Sequence, residues 1–480
     1  MKNTKILATI GPASEDKQTL KAMVKAGMNG CRLNFSHGTH EHHKMLISNI
    51  RQVSSETKKP LSIVQDLQGP RIRVGKLPKK GIDLKVGENV IFTVDEKYKD
   101  NYKDKKIFVT YDHLHRDLQA GDTFVLVDGL IQVQVKLIRG KDIHCKVLIG
   151  GQLNSNKGLN FPETKLRISA ITEKDKADLK FGVEMGIDWV ALSFVTSAQE
   201  IYDLRYLIKK YEKELDLDVK FPIKIIAKIE KREAVNNIDE IIEAVDGIMI
   251  ARGDLGIEIP AEEVPLKQKE IIHKCMVASK PVIVATQMLE SMITNARPTR
   301  AEVNDVANSV MDHTDVVMLS GESANGKYPI EAVAMMSRVI SKTERSVYDD
   351  LDPPLQLQDK TISDIISYAT TLFTVDEDVS LLLIGSVSGL TGRMISRHRP
   401  ELMIMVATIS KRVARQLNLS WGVRAFVLPR VDSLEEFNDR SIGYLKKHKL
   451  VKRGEQILII AGEPVGVQGN MNLLEIREVL

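Results

Sequence analysis

Eight short, almost wholly apolar runs recur along the first 320 residues, and most are followed by a stretch with helical periodicity. They are Lys5–Ile10, Gly30–Asn34, Ser62–Asp66, Trp189–Phe194, Lys224–Ile229, Gly247–Ala251, Pro281–Thr286 and Val316–Ser320. A strand with one face in water alternates apolar and polar residues. A run without alternation suits a strand covered on both faces, as in a parallel sheet flanked by helices. The periodic stretches Glu15–Ala26, Glu41–Ser54, Glu173–Met185 and Val303–Met311 supply that cover. Eight strand–helix units is the count of a closed (β/α)8 barrel, the TIM barrel. A doubly wound open sheet is the alternative, because strand number alone does not require closure.

The alternation is interrupted after the third run. From residue 71 to 165 the pattern turns to hairpins: Asn89–Val94, Lys106–Thr110, Thr123–Val127, Ile131–Leu137 and Asp142–Leu148, punctuated by glycines at the turns. This reads as a small β-barrel domain inserted in a βα loop, on the face where barrels carry their active sites, and so placed to act as a lid. The expected barrel comprises residues 1–70 and 166–350. Leu351-Asp352-Pro353-Pro354 reads as a linker to residues 351–480, where strict strand–helix alternation predicts a separate doubly wound α/β domain.

The formal net charge of +4 over 480 residues gives no basis for a nucleic-acid or membrane-surface partner. No apolar run approaches the roughly 18 residues of a membrane span, and the strand-like run beginning at Lys5 leaves no room for a signal peptide. Cys31, Cys145 and Cys275 are too scattered for a zinc site or disulfide framework. A cytoplasmic, multidomain chain is expected.

Polar residues at the strand ends of such a barrel converge on one face. Those ends carry Arg32 and Asn34, Asp66, Lys228 and Glu230, Arg252 and Asp254, Thr286, and Ser320 with Glu322. Burying such a ring is costly without a ligand. Lys228 and Glu230, two residues apart, point to one side of their strand, and alone they read as a structural ion pair. With Asp254 on the next strand they suggest more. Two carboxylates, completed by water and substrate oxygens, are a usual way to hold Mg²⁺, and Lys228 with Arg32 would surround a transferring phosphoryl group with positive charge. Asp254 also reads as a turn residue, its flanking glycines equally allowing a backbone amide to approach a small carboxylate. Ser36 reads as a helix N-cap compatible with a nearby nucleotide phosphate, and Thr286 as either a cap or a proton relay. Ser320–Glu322 stays open between capping and site support. In the last domain, Ser386, Ser388, Gly389 and Thr391 lie between a strand and a helix, as an anion cradle or a simple cap.

Several segments together resemble the pyruvate kinase family over nearly the whole chain. They include Ala8–Ser14, Arg32-Leu33-Asn34-Phe35-Ser36-His37-Gly38, Ile225–Glu230, Met249–Gly256, Ala285–Met292, Arg297–Val303 and Leu319–Glu322. The resemblance implies phosphoryl transfer from phosphoenolpyruvate to ADP, giving ATP and pyruvate in glycolysis, with Mg²⁺ (or Mn²⁺) as cofactor and a homotetrameric assembly. It makes Lys228, Thr286 and Arg32 the catalytic residues, Glu230 and Asp254 the metal ligands, and the amides of Gly253 and Asp254 the contacts to the substrate carboxylate. Asn34, Phe35, Ser36, His37, Arg73 and Lys157 fall on the nucleotide side. The Ser386–Thr391 loop falls where the family binds sugar-phosphate effectors; a nucleotide effector is the alternative.

Two departures stand out. Many members carry D-T-K-G-P-E-I-R after the third strand and need K⁺, whereas this chain reads Asp66-Leu67-Gln68-Gly69-Pro70-Arg71-Ile72-Arg73-Val74. Arg71 replaces the glutamate, which resembles the potassium-independent branch: a permanent cation, acting with Asn34, Ser36 and Asp66, substitutes for the ion. The usual D-D-G of the lid reads Val127-Asp128-Gly129, leaving one carboxylate. The alternatives are a metal-dependent lyase or aldolase on a similar barrel, which would need no nucleotide lid, and a catalytically silent effector-binding homologue, which would have lost some of Lys228, Glu230, Asp254 and Thr286.

Overall fold

The computed structural model describes residues 2–480 apart from 163, 165, 218, 350–360, 374–378 and 468; the expected linker at 351–354 lies outside the described residues. The eight apolar runs are strands at Lys5–Thr9, Gly30–Asn34, Ser62–Asp66, Trp189–Leu192, Lys224–Ile229, Gly247–Ala251, Val282–Ala285 and Val316–Leu319. They form a closed parallel barrel, the first strand pairing with both the second and the eighth, so the open sheet is excluded. Both faces of each strand are apolar because both are buried. Leu7, Val64, Trp189, Ile226, Met249 and Met318 fill the interior, while Ile6, Leu33, Ile63, Val190, Ile225 and Ile250 pack beneath the helices. Helix starts follow cap chemistry: Asp16 accepts the Gln18 and Thr19 amides, and Thr299 forms a capping box with Glu302. The helix after the second strand is His40–Thr57, capped by Thr39, so Ser36 is not its N-cap.

The insert holds a six-stranded sheet ordered Leu159–Asn160, Thr123–Leu126, Ile131–Arg139, Asp142–Ile149, Asn89–Thr93 and Lys106–Phe108, plus a ribbon of Ile82–Leu84 with Gly151–Leu153. Single bridges from Arg73 to Gly158 and from Val74 to Val109 connect the two edges of the larger sheet through one segment, curling it toward a small barrel. It has its own core, centred on Phe92, Phe124 and Val133. The C-terminal sheet runs Val423–Val427, Met403–Thr408, Val379–Gly385, Gln456–Ala461 and Leu473–Glu478, the last antiparallel. Leu473–Glu478 was not anticipated: it is an edge strand, mostly half-exposed, and Leu-Leu-Glu-Ile-Arg-Glu carries neither a buried run nor clean alternation.

The C-terminal unit plugs the bottom of the barrel. Leu419 joins the interior cluster. Two buried carboxylates at the strand starts receive arginines from it: Asp188 accepts from the unit's Arg415 Nε (2.7 Å) as well as from Arg51 Nη2 of the barrel helix His40–Thr57 (3.0 Å), and Asp315 accepts from the unit's Arg399 Nη2 (3.1 Å) and Trp421 amide (2.9 Å). Lys5, also buried, donates its Nζ to the Val423 carbonyl (2.8 Å). Burial, then the nearby Arg424, depresses the Lys5 ammonium to about 7. Between about pH 7 and the ordinary lysine range the unfolded chain therefore holds a proton that the folded chain lacks, and stability contributed at this site rises with pH across that window. Lys5→Met is expected to raise the thermal midpoint at pH 6 by about 2–4 °C, with the gain fading by about pH 10; an equal gain at both pH values in scanning calorimetry would contradict this.

Candidate active site

At the C-terminal mouth of the barrel, four side chains from strands two, three and five make one continuous run of charge. Arg32 Nε donates to Asp66 Oδ2 (2.6 Å) and Nη1 to Thr9 Oγ1 (3.1 Å). Asp66 Oδ1 lies 3.3 Å from Lys228 Nζ, which lies 2.8 Å from Glu230 Oε1 and donates to Ser193 Oγ (2.8 Å). Glu230 Oε2 accepts the Phe194 amide (2.6 Å). Asp66, Lys228 and Glu230 are buried. Burial pushes the Lys228 ammonium down, but Asp66 and Glu230 outweigh it and hold the pKa above the ordinary value. For Asp66, burial pushes up, while Lys228 and Arg32 hold the carboxyl below the usual range. Lys228 therefore stays a fixed cation in a pocket where a charge is little screened.

Asp254 stands at the start of the short helix Arg252–Glu258, which follows strand six directly. Its carboxyl is pushed up to about 6, by burial first and then by the charge of Glu230. Two carboxylates whose charges act on one another are suited to a hard divalent cation. Among the described residues no group of three or more His, Cys, Asp or Glu side chains could hold a metal ion, so further ligands would have to come from substrate and water.

Thr286 and Gln287 follow strand seven with φ of 68° and 55°, two consecutive left-handed residues that are not glycine. The surroundings hold them there. The Gly253 amide donates to Thr286 Oγ1 (2.8 Å), Thr286 Oγ1 donates to the Ala285 carbonyl (2.6 Å), and Arg252 Nη2 donates to the Thr286 carbonyl (2.9 Å). Arg252 is itself clamped by both oxygens of Asp305, each at 2.6 Å. So Arg252 supports the turn, and Thr286 is not a helix cap: the following helix, Arg300–Met311, is capped by Thr299. Glu322 braces two strand ends by accepting the Leu289 (3.1 Å) and Ser320 (2.7 Å) amides.

Arg71, Arg73, Asp128 and Lys157 line a cleft of about 700 Å³ between insert and barrel, with Asp254 on its barrel side. Arg73 Nη1 donates to the Asn156 carbonyl (2.9 Å). Arg71 is exposed in this cleft and its charge acts on Asp254. It is not joined to Asn34, Ser36 or Asp66; Asp66 is engaged by Arg32 and Lys228 instead. In the loop Asn34–His37, Asn34 Oδ1 accepts the Ser36 amide (3.1 Å), and His43 Nε2 donates to the His37 carbonyl (2.9 Å). In the C-terminal domain, Ser386 Oγ accepts the Gly389 amide (3.1 Å) and Ser388 Oγ the Leu390 amide (3.4 Å); with Thr391, Lys220 and Arg430 the two serines line a second cavity of about 310 Å³.

Thr9 and Ser193 were missed from sequence, although the same strand-end rule, applied to strands one and four, finds both. The Phe194 amide could not be found that way, since its left-handed backbone (φ 57°) is not a side-chain property.

This geometry matches known proteins along the whole chain. The family model described as pyruvate kinase, barrel domain, matches residues 1–333, and that described as pyruvate kinase, alpha/beta domain, matches residues 364–477. The chain belongs to the pyruvate kinase family. Among its relatives, the pyruvate kinase of Geobacillus stearothermophilus is 43% identical over 482 residues, covering 100% of this chain and 80% of the relative. That of Clostridium acetobutylicum is 39% identical over 481 residues, covering 100% of each. A crystal structure of a pyruvate kinase from Cryptosporidium parvum superposes with a TM-score of 0.92 at 37% identity, covering 100% of this chain and 96% of that one. The chain is therefore a phosphotransferase, of a family that implies a divalent metal requirement.

Asp66 is the carboxylate that Arg32 and Lys228 share. Asp66→Asn removes its charge and is expected to lower kcat/KM for the phosphoryl donor by about a hundredfold; steady-state kinetics showing a loss under about fivefold, with the thermal midpoint unchanged, would contradict the geometry's importance.

Proposed function

We propose that this chain transfers the phosphoryl group of phosphoenolpyruvate to ADP. An ADP β-phosphate oxygen bonds to phosphorus as the bridging P–O bond breaks, leaving ATP and the enolate of pyruvate, which takes a proton at carbon. The observation that carries the reading is the Arg32–Asp66–Lys228–Glu230 run, its last three members buried, with Glu230 close enough for its charge to act on Asp254. It supplies two fixed cations for a transferring phosphoryl group, whose chemistry depends mainly on positioning and electrostatics. Lys228 meets the moving phosphoryl oxygens and Arg32 binds them from the other side. The Asp254 amide receives the substrate carboxylate together with the Gly253 amide, which exchanges its bond to Thr286 Oγ1 for one to the substrate, and Thr286, so released, serves the proton relay. Glu230 and Asp254 would hold Mg²⁺, for which Mn²⁺ could substitute; the ion, when bound, neutralises charge on the phosphoryl oxygens. Asn34, Phe35, Ser36, His37, Arg73 and Lys157 bind the nucleotide, and residues 71–165 close over it as a lid.

In the same reading, residues 1–70 and 166–350 form the catalytic unit, and 351–480 the unit for regulation and assembly. The cavity at Ser386, Ser388, Gly389 and Thr391, with Lys220 and Arg430 nearby, suits a phosphorylated effector, a sugar phosphate or a nucleotide. An exposed apolar stripe on helix Ile362–Leu372 (Ile362, Ile365, Tyr368 and Leu372) suits contact with further copies in a homotetramer. A cytoplasmic place in glycolysis accords with three free, buried cysteines.

The chain works without K⁺, with Arg71 in the place of the ion. Its support is that the Arg71 guanidinium and the Asp254 carboxyl line one cleft between insert and barrel, so a cationic side chain stands where the family's glutamate would call for an ion. ADP-dependent pyruvate formation with Mg²⁺ in buffer free of K⁺ and Na⁺ tests both claims. Full turnover is expected, with Arg71→Glu becoming dependent on added K⁺. Absence of turnover with and without K⁺ would overturn the reaction, and a loss of at least about tenfold on removing K⁺ would overturn the role of Arg71.

A further inference from the structure

We infer that Lys174 is a positioning residue for the Asn34–His37 loop and fastens that loop to the hinge of the insert. The helix Glu173–Glu184 begins where the chain returns from the insert to the barrel. Its capping carboxylate, Asp175, accepts the Thr172 amide (2.9 Å) on the returning segment and the Gly69 amide (3.1 Å) on the outgoing one. Both crossings of the hinge are thus tied to one buried side chain.

Lys174 stands next to this tie. Its Nζ donates to the Phe35 carbonyl (2.6 Å) and to Asp178 Oδ2 (2.6 Å). Asp178 is buried and fixed from two further directions: Oδ1 pairs with His40 Nε2 (2.7 Å), and its backbone carbonyl accepts from Gln65 Nε2 (2.7 Å), the neighbour of Asp66. The His40 ring is stacked on Phe181, with centroids 4.5 Å apart. The ammonium is therefore aimed, although its side chain is 49% exposed.

The result is local and geometric. The peptide joining Phe35 to Ser36 is held at both poles, its carbonyl by Lys174 and its N–H by Asn34 Oδ1 (3.1 Å). A planar peptide fixed at both poles cannot rotate, which restrains the backbone at Ser36, and the His37 carbonyl one residue on is held by His43 Nε2 (2.9 Å). An ion pair this exposed contributes little stability. Orientation is where it acts, because displacing a binding group by about 1 Å is costly to binding and turnover. The inference rests on the reading of this loop as nucleotide-binding.

The test is a comparison of KM for ADP, KM for phosphoenolpyruvate, kcat and thermal midpoint in Lys174→Met, Lys174→Arg and His37→Ala. Lys174→Met is expected to raise KM for ADP about five- to tenfold, with KM for phosphoenolpyruvate within about twofold and the midpoint within about 2 °C. Lys174→Arg, which retains a cationic donor, is expected to recover most of that loss. An unchanged KM for ADP in Lys174→Met, a parallel rise in both KM values, or no recovery in Lys174→Arg would each overturn the inference. His37→Ala separates the two levels. If it raises KM for ADP while Lys174→Met does not, the positioning role alone fails; if neither does, the loop is not on the nucleotide side and both readings fall.

Discussion

Two cations, Arg32 and Lys228, share the carboxylate of Asp66, and the catalytic mouth of the barrel is arranged around that sharing. A buried lysine without partners would lose its proton; here Asp66 and Glu230 hold Lys228 above its ordinary pKa. A buried aspartate without partners would gain one, and Lys228 with Arg32 prevents it. Breaking one member of such a set leaves another charge uncompensated in a poorly screened place, which costs about 3–5 kcal/mol. The arrangement requires strands two, three and five to present their ends at one level, and closure of the barrel with its observed register provides that.

The remaining parts are placed by reference to this mouth. The insert leaves the chain just after Asp66 and returns at the helix carrying Asp175, so its two hinge segments sit beside the charged run. The C-terminal unit is attached at the opposite end, by arginines paired to Asp188 and Asp315 at the strand starts. The charged run and the domain attachment thus occupy opposite ends of the same eight strands. Strands three and five each touch the C-terminal unit at one end and the charged run at the other: Ser62 donates to the Arg415 carbonyl and Asp66 ends strand three, while Pro222, just before strand five, accepts from Gln416 (2.9 Å) and Glu230 follows it.

Most of this was legible in the sequence for a physical reason. Strands buried on both faces must be apolar throughout, and the functional side chains must then stand at strand ends, where polarity first becomes affordable. Reading those ends finds Arg32, Asp66, Lys228, Glu230, Asp254 and Thr286. What escaped detection has no such pattern. The edge strand Leu473–Glu478 is half-exposed and carries a mixed sequence. The left-handed turns at Phe194 and Thr286 depend on tertiary contacts, not on glycine. Arg252 sits at a strand end like the others, yet its guanidinium turns aside to Asp305, and only coordinates reveal that. Arg71 has no hydrogen bond or ion pair to Asn34, Ser36 or Asp66 among the described residues; it lines the same cleft as Asp254.

In the proposed reaction Lys228 acts as a fixed cation on the transferring phosphoryl group, held charged by its two carboxylates. Single-turnover rapid-quench measurement of phosphoryl transfer in wild type and Lys228→Met, with ADP affinity measured alongside, tests it most directly. The transfer rate is expected to fall about a thousandfold with ADP affinity nearly unchanged. A fall of less than about tenfold, or a loss that lies wholly in binding, would contradict it.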